Sequence, residues 1–152
     1  MSLPLKADPE ATPTDETYVL EEQIGHLLRR AHQRATAVFQ EAMGEIGLTP
    51  TQYAALVKVG EVGEISQNHL GRLTAMDPAT SQGVIRRLEA QGLVTLRADP
   101  TDRRRTLLSL TAAGKRTLDP AIARGRAITR ATLAPLDDAE QARFLSLLKK
   151  LI

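Results

Sequence analysis

Three consecutive arginines, Arg103-Arg104-Arg105, follow Asp102 in a turn-forming run that begins at Asp99-Pro100. A guanidinium group stays charged at neutral pH and offers several N–H donors to a phosphate, so such a cluster suits the backbone of a nucleic acid. From Gly71 to Arg116 nine cationic side chains stand against four acidic ones, a net charge of +5, which leaves −3 for the rest of the chain. The alternative is a basic face that is merely solvated.

A second group of side chains, upstream of these arginines, is suited to reading base edges. Gln82 can form paired hydrogen bonds with adenine, Arg86 can bind guanine or a phosphate, and the Ala79 methyl group can touch thymine. Thr80 can bind a base or a phosphate. Arg87 is a further cation, and for Arg86 and Arg87 the alternative is an ion pair with an acidic neighbour inside the protein. The pattern leaves open which of these side chains reads bases.

Neither catalysis nor metal binding has a suitable set of residues in this sequence. The chain contains no cysteine, its three histidines lack the spacing of a strong metal motif, and no glycine-rich loop follows a predicted strand. We therefore predict no enzymatic activity, no metal and no cofactor. With no run of about 18 uncharged apolar residues and no apolar core of a signal peptide at residues 1–8, we also predict a cytoplasmic protein without membrane contacts.

Cap-and-proline signals mark the helices that would carry the polar groups. Thr49-Pro50 begins a short helix through Val59, Ser66 caps another, and Asp77-Pro78 opens a helix over Ala79–Gln91. That last helix places an apolar stripe inward, formed by Ser81, Val84, Ile85 and Leu88. Six residues remain largely on its other faces: Ala79, Thr80, Gln82, Gly83, Arg86 and Arg87.

The arginine cluster falls between two predicted strands. Gly92 ends the preceding helix, Leu93–Arg97 alternates in polarity, and Thr106–Leu110 supplies a second short strand. Two short helices followed by a basic-tipped hairpin form a winged helix-turn-helix. In this arrangement the second short helix lies in the major groove of DNA and the hairpin, or wing, reaches along the backbone.

Longer helices are predicted on both sides of this unit. After a proline-containing lead-in to residue 14, a helix begins at Thr14 or Asp15 and ends near Gly44–Gly47. Another runs from Thr111 to about Leu133, where Pro120 should kink it or mark a start. The last covers Ala139–Leu151. The expected fold is mainly α with a small β-hairpin wing, in one domain over residues 15–152.

The chain resembles the MarR family of bacterial regulators over about Tyr18 to Leu151. The resemblance rests on three stretches: Leu48-Thr49-Pro50-Thr51-Gln52, Gln91-Gly92-Leu93-Val94 with Asp99-Pro100-Thr101-Asp102-Arg103-Arg104, and Leu108-Ser109-Leu110-Thr111-Ala112-Ala113-Gly114. It implies a transcriptional regulator, most commonly a repressor, that binds double-stranded operator DNA. It also implies that Asp102 orients Arg104 into the minor groove, where the negative potential is enhanced, and that Arg103 and Arg105 contact phosphates. The alternative is that Asp102 and Arg104 only stabilise a tight turn.

The same resemblance implies a homodimer, with a DNA-binding lobe over about residues 48–112 and dimerisation helices over about 15–46 and 112–152. The amphipathic terminal helices agree, because a small central core could hardly cover them alone. Packing of these stripes within one chain is the alternative. Six apolar residues are candidates for the interface: Val19, Leu20, Phe144, Leu147, Leu148 and Leu151.

Many MarR-family members release DNA when a small phenolic compound or aromatic carboxylate binds. The run Gly25–Gln33 resembles a subgroup that includes regulators of nicotinate and related aromatic-acid breakdown, so an aromatic acid is the first effector to consider. Polar groups that could pair with a carboxylate or ring hydroxyl are His26, Arg29, Arg30, His32 and Tyr53. A solvated or interface-facing polar stripe is the alternative.

Gly83 departs from the family pattern, since many relatives place a side chain there that can touch DNA. The rival function is a winged-helix module that binds proteins without specific DNA binding, because fold alone does not fix function. The basic wing argues against that rival.

Overall fold

The computed structural model describes residues 17–152, and the predicted lead-in over residues 1–14 lies outside them. After a 3-10 turn at Leu20–Glu22, the helices are α1 (Ile24–Met43), α2 (Pro50–Val62), α3 (Gln67–Leu73), α4 (Pro78–Ala90), α5 (Ala112–Leu133) and α6 (Asp138–Leu148). The strands are β1 (Glu64–Ser66), β2 (Val94–Ala98) and β3 (Thr106–Leu110). The described residues up to His32 belong to one compact unit, and Gln33–Ile152 form a second.

Local capping explains where three of the short elements begin. The Thr49 hydroxyl accepts from the Gln52 amide at 3.3 Å while the Gln52 side chain accepts from the Thr49 amide at 2.9 Å, which completes a capping box ahead of α2. The Ser66 hydroxyl caps α3 through the His69 amide. Asp77 caps α4. These starts confirm the cap-and-proline predictions.

The small sheet has the strand order β1-β3-β2, with both pairs antiparallel. In the register, Leu108 of β3 stands opposite Ile65 of β1 on one side and Leu96 of β2 on the other. The predicted two-stranded hairpin is therefore incomplete. The sequence did not predict β1, because three residues are too few to show an alternation of polar and apolar side chains. This strand forms only through its pairing with β3.

Several predicted helix and strand boundaries differ from the structure, most of them by one residue. The helical part of the N-terminal segment begins at Ile24 among the described residues, later than Thr14 or Asp15, because apolar spacing does not fix where a helix starts. α2 continues past Val59 to Val62, and α6 ends at Leu148, before Leu151. The Thr111-capped helix passes through Pro120 as one element, so the proline marks no new start.

The core lies where α2, α3, α4, α5 and the sheet meet. Leu56, Leu70, Leu88 and Leu108 are fully buried there, and the predicted inward stripe of α4 is confirmed, with Ser81, Val84 and Ile85 exposed by 4% or less. Burial of this stripe fixes the rotation of α4 about its axis. The opposite face of α4 is consequently held toward solvent.

Candidate nucleic-acid interface

The outer face of α4 presents the polar residues that the sequence predicts for base reading. Ala79, Thr80, Gln82, Arg86 and Arg87 are all exposed. Within the part of the chain that the structure describes, neither Arg86 nor Arg87 has a carboxylate within ion-pair distance. The two guanidinium groups are thus available to an external anion.

Thr80 is already engaged by the cap of its own helix. Its backbone amide and its hydroxyl both donate to the Asp77 carboxylate, each at 2.8 Å. These bonds, the amide contribution first, hold the pKa of Asp77 below its ordinary value. The Thr80 hydroxyl proton is therefore taken, so this side chain can offer DNA only the two lone pairs of its oxygen and its methyl group.

At the wing tip, the carboxylate of Asp102 holds Arg104 in place through hydrogen bonds. The Asp102 carboxylate accepts from the Arg104 backbone amide at 3.0 Å and from Arg104 Nε at 3.2 Å. The Arg104 side chain is nevertheless 92% exposed. Asp102 thus leaves the terminal nitrogens of Arg104 directed to solvent, and Arg103 and Arg105 are exposed beside it.

The role of Asp99 was not predicted from the sequence. This residue is buried and stabilises the turn of the wing through hydrogen bonds. This residue is only 6% exposed, and its carboxylate accepts from the Thr101 hydroxyl at 2.7 Å and the Thr101 amide at 2.8 Å. These bonds, the hydroxyl first, lower the pKa of Asp99, and Arg105 lies 3.7 Å away. The turn-forming character of Asp99-Pro100 was visible in the sequence, but the burial of the carboxylate was not.

Arg72 is a second residue that the prediction overlooked. An open cavity of about 260 Å³ lies between the start of α3 and the wing, lined by Ser66, Gln67, Asn68, Arg72, Arg104, Arg105 and Thr106. It brings the α3 cation together with two of the three wing arginines. A phosphate in this cavity would meet donors from both elements. The one indication of this role in the sequence was that Arg72 lies in the basic segment from Gly71 to Arg116.

Arg97, in contrast, is removed from the basic surface by an internal partner. Arg97 Nε and Nη2 donate to the two oxygens of Glu64 at 2.7 and 2.6 Å. This paired interaction lowers the pKa of Glu64. It joins β1 to β2 across the central strand β3, so this arginine supports the base of the wing.

The comparisons with known proteins agree with this geometry. The MarR family model matches residues 46–105. The repressor NicR of Pseudomonas putida, named an HTH-type transcriptional repressor, is 40% identical over 148 residues, which cover 97% of this chain and 94% of NicR. This chain belongs to the MarR family.

Solved structures support the assignment of this MarR-family chain. A crystal structure of a probable transcriptional regulator from Pseudomonas aeruginosa is 51% identical, with a TM-score of 0.85, and covers 88% of this chain and all of its own. The structure of Bordetella bronchiseptica BpsR, whose DNA binding is regulated by 6-hydroxynicotinic acid, is 38% identical with a TM-score of 0.85, covering 90% of this chain and 97% of BpsR.

Membership confirms the predicted family, fold class and general function. This MarR-family chain is a winged-helix DNA-binding transcriptional regulator and not an enzyme. The rival protein-binding module is not favoured, since NicR is named a transcriptional repressor. No helix in residues 17–152 has both the length and the apolar character needed to cross a membrane.

The predicted effector groups of this MarR-family protein fall on two helices. His26, Arg29, Arg30 and His32 lie on α1, where Arg29 Nη2 and His26 Nδ1 are 3.4 Å apart. Tyr53 lies on α2 and packs edge-to-face on Phe39, with ring centroids 5.9 Å apart. Its hydroxyl is directed at Gly125 of α5, where an added Cβ would overlap it.

The predicted dimer residues also fall on separate segments. Leu20 is 50% exposed in the 3-10 turn, and Val19, just before it, is partly exposed. On α6, Phe144 is 41% and Leu147 49% exposed, while Leu148 is partly exposed; Leu151, past the helix, is 67% exposed. Apolar side chains at this level of exposure leave a surface that a second protein molecule could cover.

Proposed function

We propose that this protein is a homodimeric repressor that binds a pseudo-palindromic operator and leaves it when a small aromatic carboxylate binds. The observation that carries the proposal is the wing tip, where Asp102 holds Arg104 by two hydrogen bonds while leaving its side chain 92% exposed. A guanidinium prepared in this way suits the narrow minor groove.

The remaining DNA contacts are made by the exposed side chains of α4, α3 and the wing. In the major groove, Gln82 and Arg86 of α4 are the side chains suited to base edges, with Ala79 and Thr80 at the start of the helix and Arg87 toward the backbone. Arg103 and Arg105 contact phosphates on the wing, and Arg72 adds a phosphate contact from α3. Two protomers related by a two-fold axis would read half-sites about 10 bp apart. Such a protein works in the bacterial cytoplasm, at the nucleoid when it is bound to DNA.

The effector proposal rests on the polar groups of α1 and on relatives of stated function. NicR is a named repressor, and the DNA binding of BpsR is regulated by 6-hydroxynicotinic acid. His26 Nδ1 accepts from the Arg29 guanidinium, which leaves the Nε2–H of His26 and the remaining N–H groups of Arg29 to donate to a carboxylate. A pyridine or benzene carboxylate is the class of effector that fits this chemistry.

DNA binding is tested with the DNA upstream of the protein's own coding region, measured by anisotropy against a scrambled duplex over a salt series. Replacement of Arg104 by alanine should weaken operator binding by about 10- to 100-fold, since one good groove contact contributes about 1–3 kcal/mol. Arg103→Ala should lower the salt slope by about 0.9 for each phosphate that the variant no longer neutralises.

Lys58→Ala is the control for charge, because it also removes one cation, and Lys58 is paired with Glu61 on α2. It should leave operator affinity within about twofold of wild type. Unchanged affinity and an unchanged salt slope in a folded Arg104→Ala protein would contradict the wing assignment.

The effector is tested on the preformed operator complex. Addition of 6-hydroxynicotinic or nicotinic acid should release the DNA, whereas acetate at the same concentration should not. In Arg29→Ala, operator binding should persist and release should require at least about tenfold more acid, the equivalent of one charged hydrogen bond. If no aromatic acid releases the operator, this part of the proposal is wrong.

A further inference from the structure

Gly83 lies in the middle of the outer face of α4. On a helix, its neighbours three and four residues away are Ala79, Thr80, Arg86 and Arg87. All four of these residues are exposed. Glycine is the least favourable residue in a helix interior apart from proline, so its presence at the centre of this face calls for a physical cause.

No cause for a glycine at this position is found within the described chain. Its backbone is not left-handed, unlike that of Gly47, Gly63 and Gly92. A Cβ added at Gly83 would meet no heavy atom of residues 17–152 within 4 Å, so an alanine would fit the free protein.

Of the other helix glycines, Gly60 and Gly114 do have such a cause, whereas Gly25, which also meets nothing within 4 Å, lies in the first turn of α1. At Gly60 an added Cβ would overlap the Leu118 side chain, and at Gly114 it would overlap the carbonyl oxygen of Leu93. Those glycines allow α5 to pack closely against its neighbours. At Gly83, in the middle of an exposed helix face, the space beside the Cα is open to a molecule outside this chain.

We propose that Gly83 is a specificity-determining residue, because the missing side chain lets the edge of a base pair approach the backbone of α4. The inference rests on the proposed placement of α4 in the major groove. Gly83 Cα and the Ala79 methyl group, one turn earlier, place two apolar groups next to each other on this face, between the polar side chains of Thr80, Arg86 and Arg87. The C5-methyl of thymine is the apolar group that base pairs present in the major groove. A thymine methyl group occupies the space that a Cβ would fill.

The first experiment compares wild type with Gly83→Ala in the full-length protein. The variant should melt a few degrees higher without DNA, because alanine is the better helix former. Its operator affinity should fall by about tenfold or more. Its affinity for a scrambled duplex should stay within about twofold of wild type, since non-specific binding depends on phosphates.

Ala90→Ser is the matched control. Ala90 is exposed and lies seven residues beyond Gly83, on nearly the same line of the helix but at its C-terminal end. It adds one heavy atom to α4 away from the N-terminal part that reads bases. Operator affinity of this control should remain within about twofold of wild type.

Replacing each thymine of the operator by uracil identifies the group that fills the space. At one position per half-site, loss of the methyl group should weaken wild-type binding by about three- to tenfold and should cost Gly83→Ala much less. Equal operator affinity of wild type and Gly83→Ala, or a uracil scan that affects both proteins alike, would overturn the inference. If wild type itself does not prefer the operator to the scrambled duplex, it is the proposed function that fails.

Discussion

Asp77 and Asp99 stabilise the start of α4 and the wing, the two elements proposed to contact DNA, by the same pattern of hydrogen bonds. Each carboxylate accepts from both the backbone amide and the hydroxyl of a following threonine, Thr80 in one case and Thr101 in the other. In both aspartates the pKa is lowered, which keeps the carboxylate charged. Both carboxylates therefore hold the backbone of their turns in place as charged groups.

Ala75 has a backbone conformation that is unfavourable for a residue with a side chain. It lies in the turn between α3 and α4 with φ at +52°, the left-handed region in which a Cβ is unfavourable. We expect Ala75→Gly to raise the free energy of unfolding by about 0.5–1 kcal/mol, since the relief exceeds the entropic cost of glycine. Chemical denaturation measures the change.

Ala127→Gly is the matched control for this substitution. Ala127 is exposed in the interior of α5, where the same change removes a good helix former. It should lower the free energy of unfolding by about 1 kcal/mol. If both variants lose stability to the same extent, the turn at Ala75 does not store strain.

At the scale of elements, the sequence predicted best what local chemistry decides. Thr49, Ser66 and Asp77 each begin a helix as expected, because a capping side chain and the first-turn amide are three residues apart in the chain. Neither β1 nor the start of α1 could be predicted this way. β1 depends on pairing with β3, more than 40 residues later, and the apolar spacing of the N-terminal segment does not determine where its helix starts.

The same limit applies to the site. The exposed face of α4 and the basic wing tip follow from periodicity and charge, and both were predicted. The cavity that joins Arg72 to Arg104 and Arg105 depends on how α3 packs beside the wing. Pairing of Arg97 with Glu64 likewise needs the sheet to bring β1 within reach of β2. Charge counts alone treat Arg72 and Arg97 as equivalent, whereas packing pairs Arg97 with Glu64 and leaves Arg72 exposed beside the wing.

The junction between α5 and the wing base is where an added methyl group should be least tolerated. A Cβ at Gly114 would overlap the Leu93 carbonyl oxygen, which also accepts from the Thr111 amide at 3.1 Å and so cannot turn away freely. We expect Gly114→Ala to lower the free energy of unfolding by about 1–3 kcal/mol, the usual cost of overpacking. Urea denaturation gives this value.

Lys115→Ala, one residue further along, serves as the control, since Lys115 is exposed. Its effect should stay within about 0.5 kcal/mol. A Gly114→Ala protein as stable as wild type would show that α5 can shift away from the wing at little cost.

The whole molecule combines a charged winged helix with apolar terminal segments that the single chain leaves exposed. Phe144 and Leu147 are 41% and 49% exposed on α6, and we expect each Glu substitution at these positions to shift the protein from dimer to monomer. Light scattering after size exclusion measures the mass. Operator affinity should fall at the same time, because one half-site alone binds less tightly than two linked ones.

Lys149→Glu introduces the same side chain at a position that is already charged and exposed, and it should leave the dimer intact. A dimer that persists in both Phe144→Glu and Leu147→Glu would show that α6 lies outside the interface.

The exposed arginines of the wing tip also make this segment sensitive to proteolysis. Arg103-Arg104-Arg105 forms a run of adjacent cleavage sites for trypsin-like proteases, in a segment between β2 and β3 where all three side chains are exposed. Exposed loop tips of this kind are where proteases cut folded proteins first. A bound duplex would shield the same peptide bonds that free protein presents. The rate at which trypsin cleaves this loop would therefore measure the fraction of the regulator that is bound to DNA.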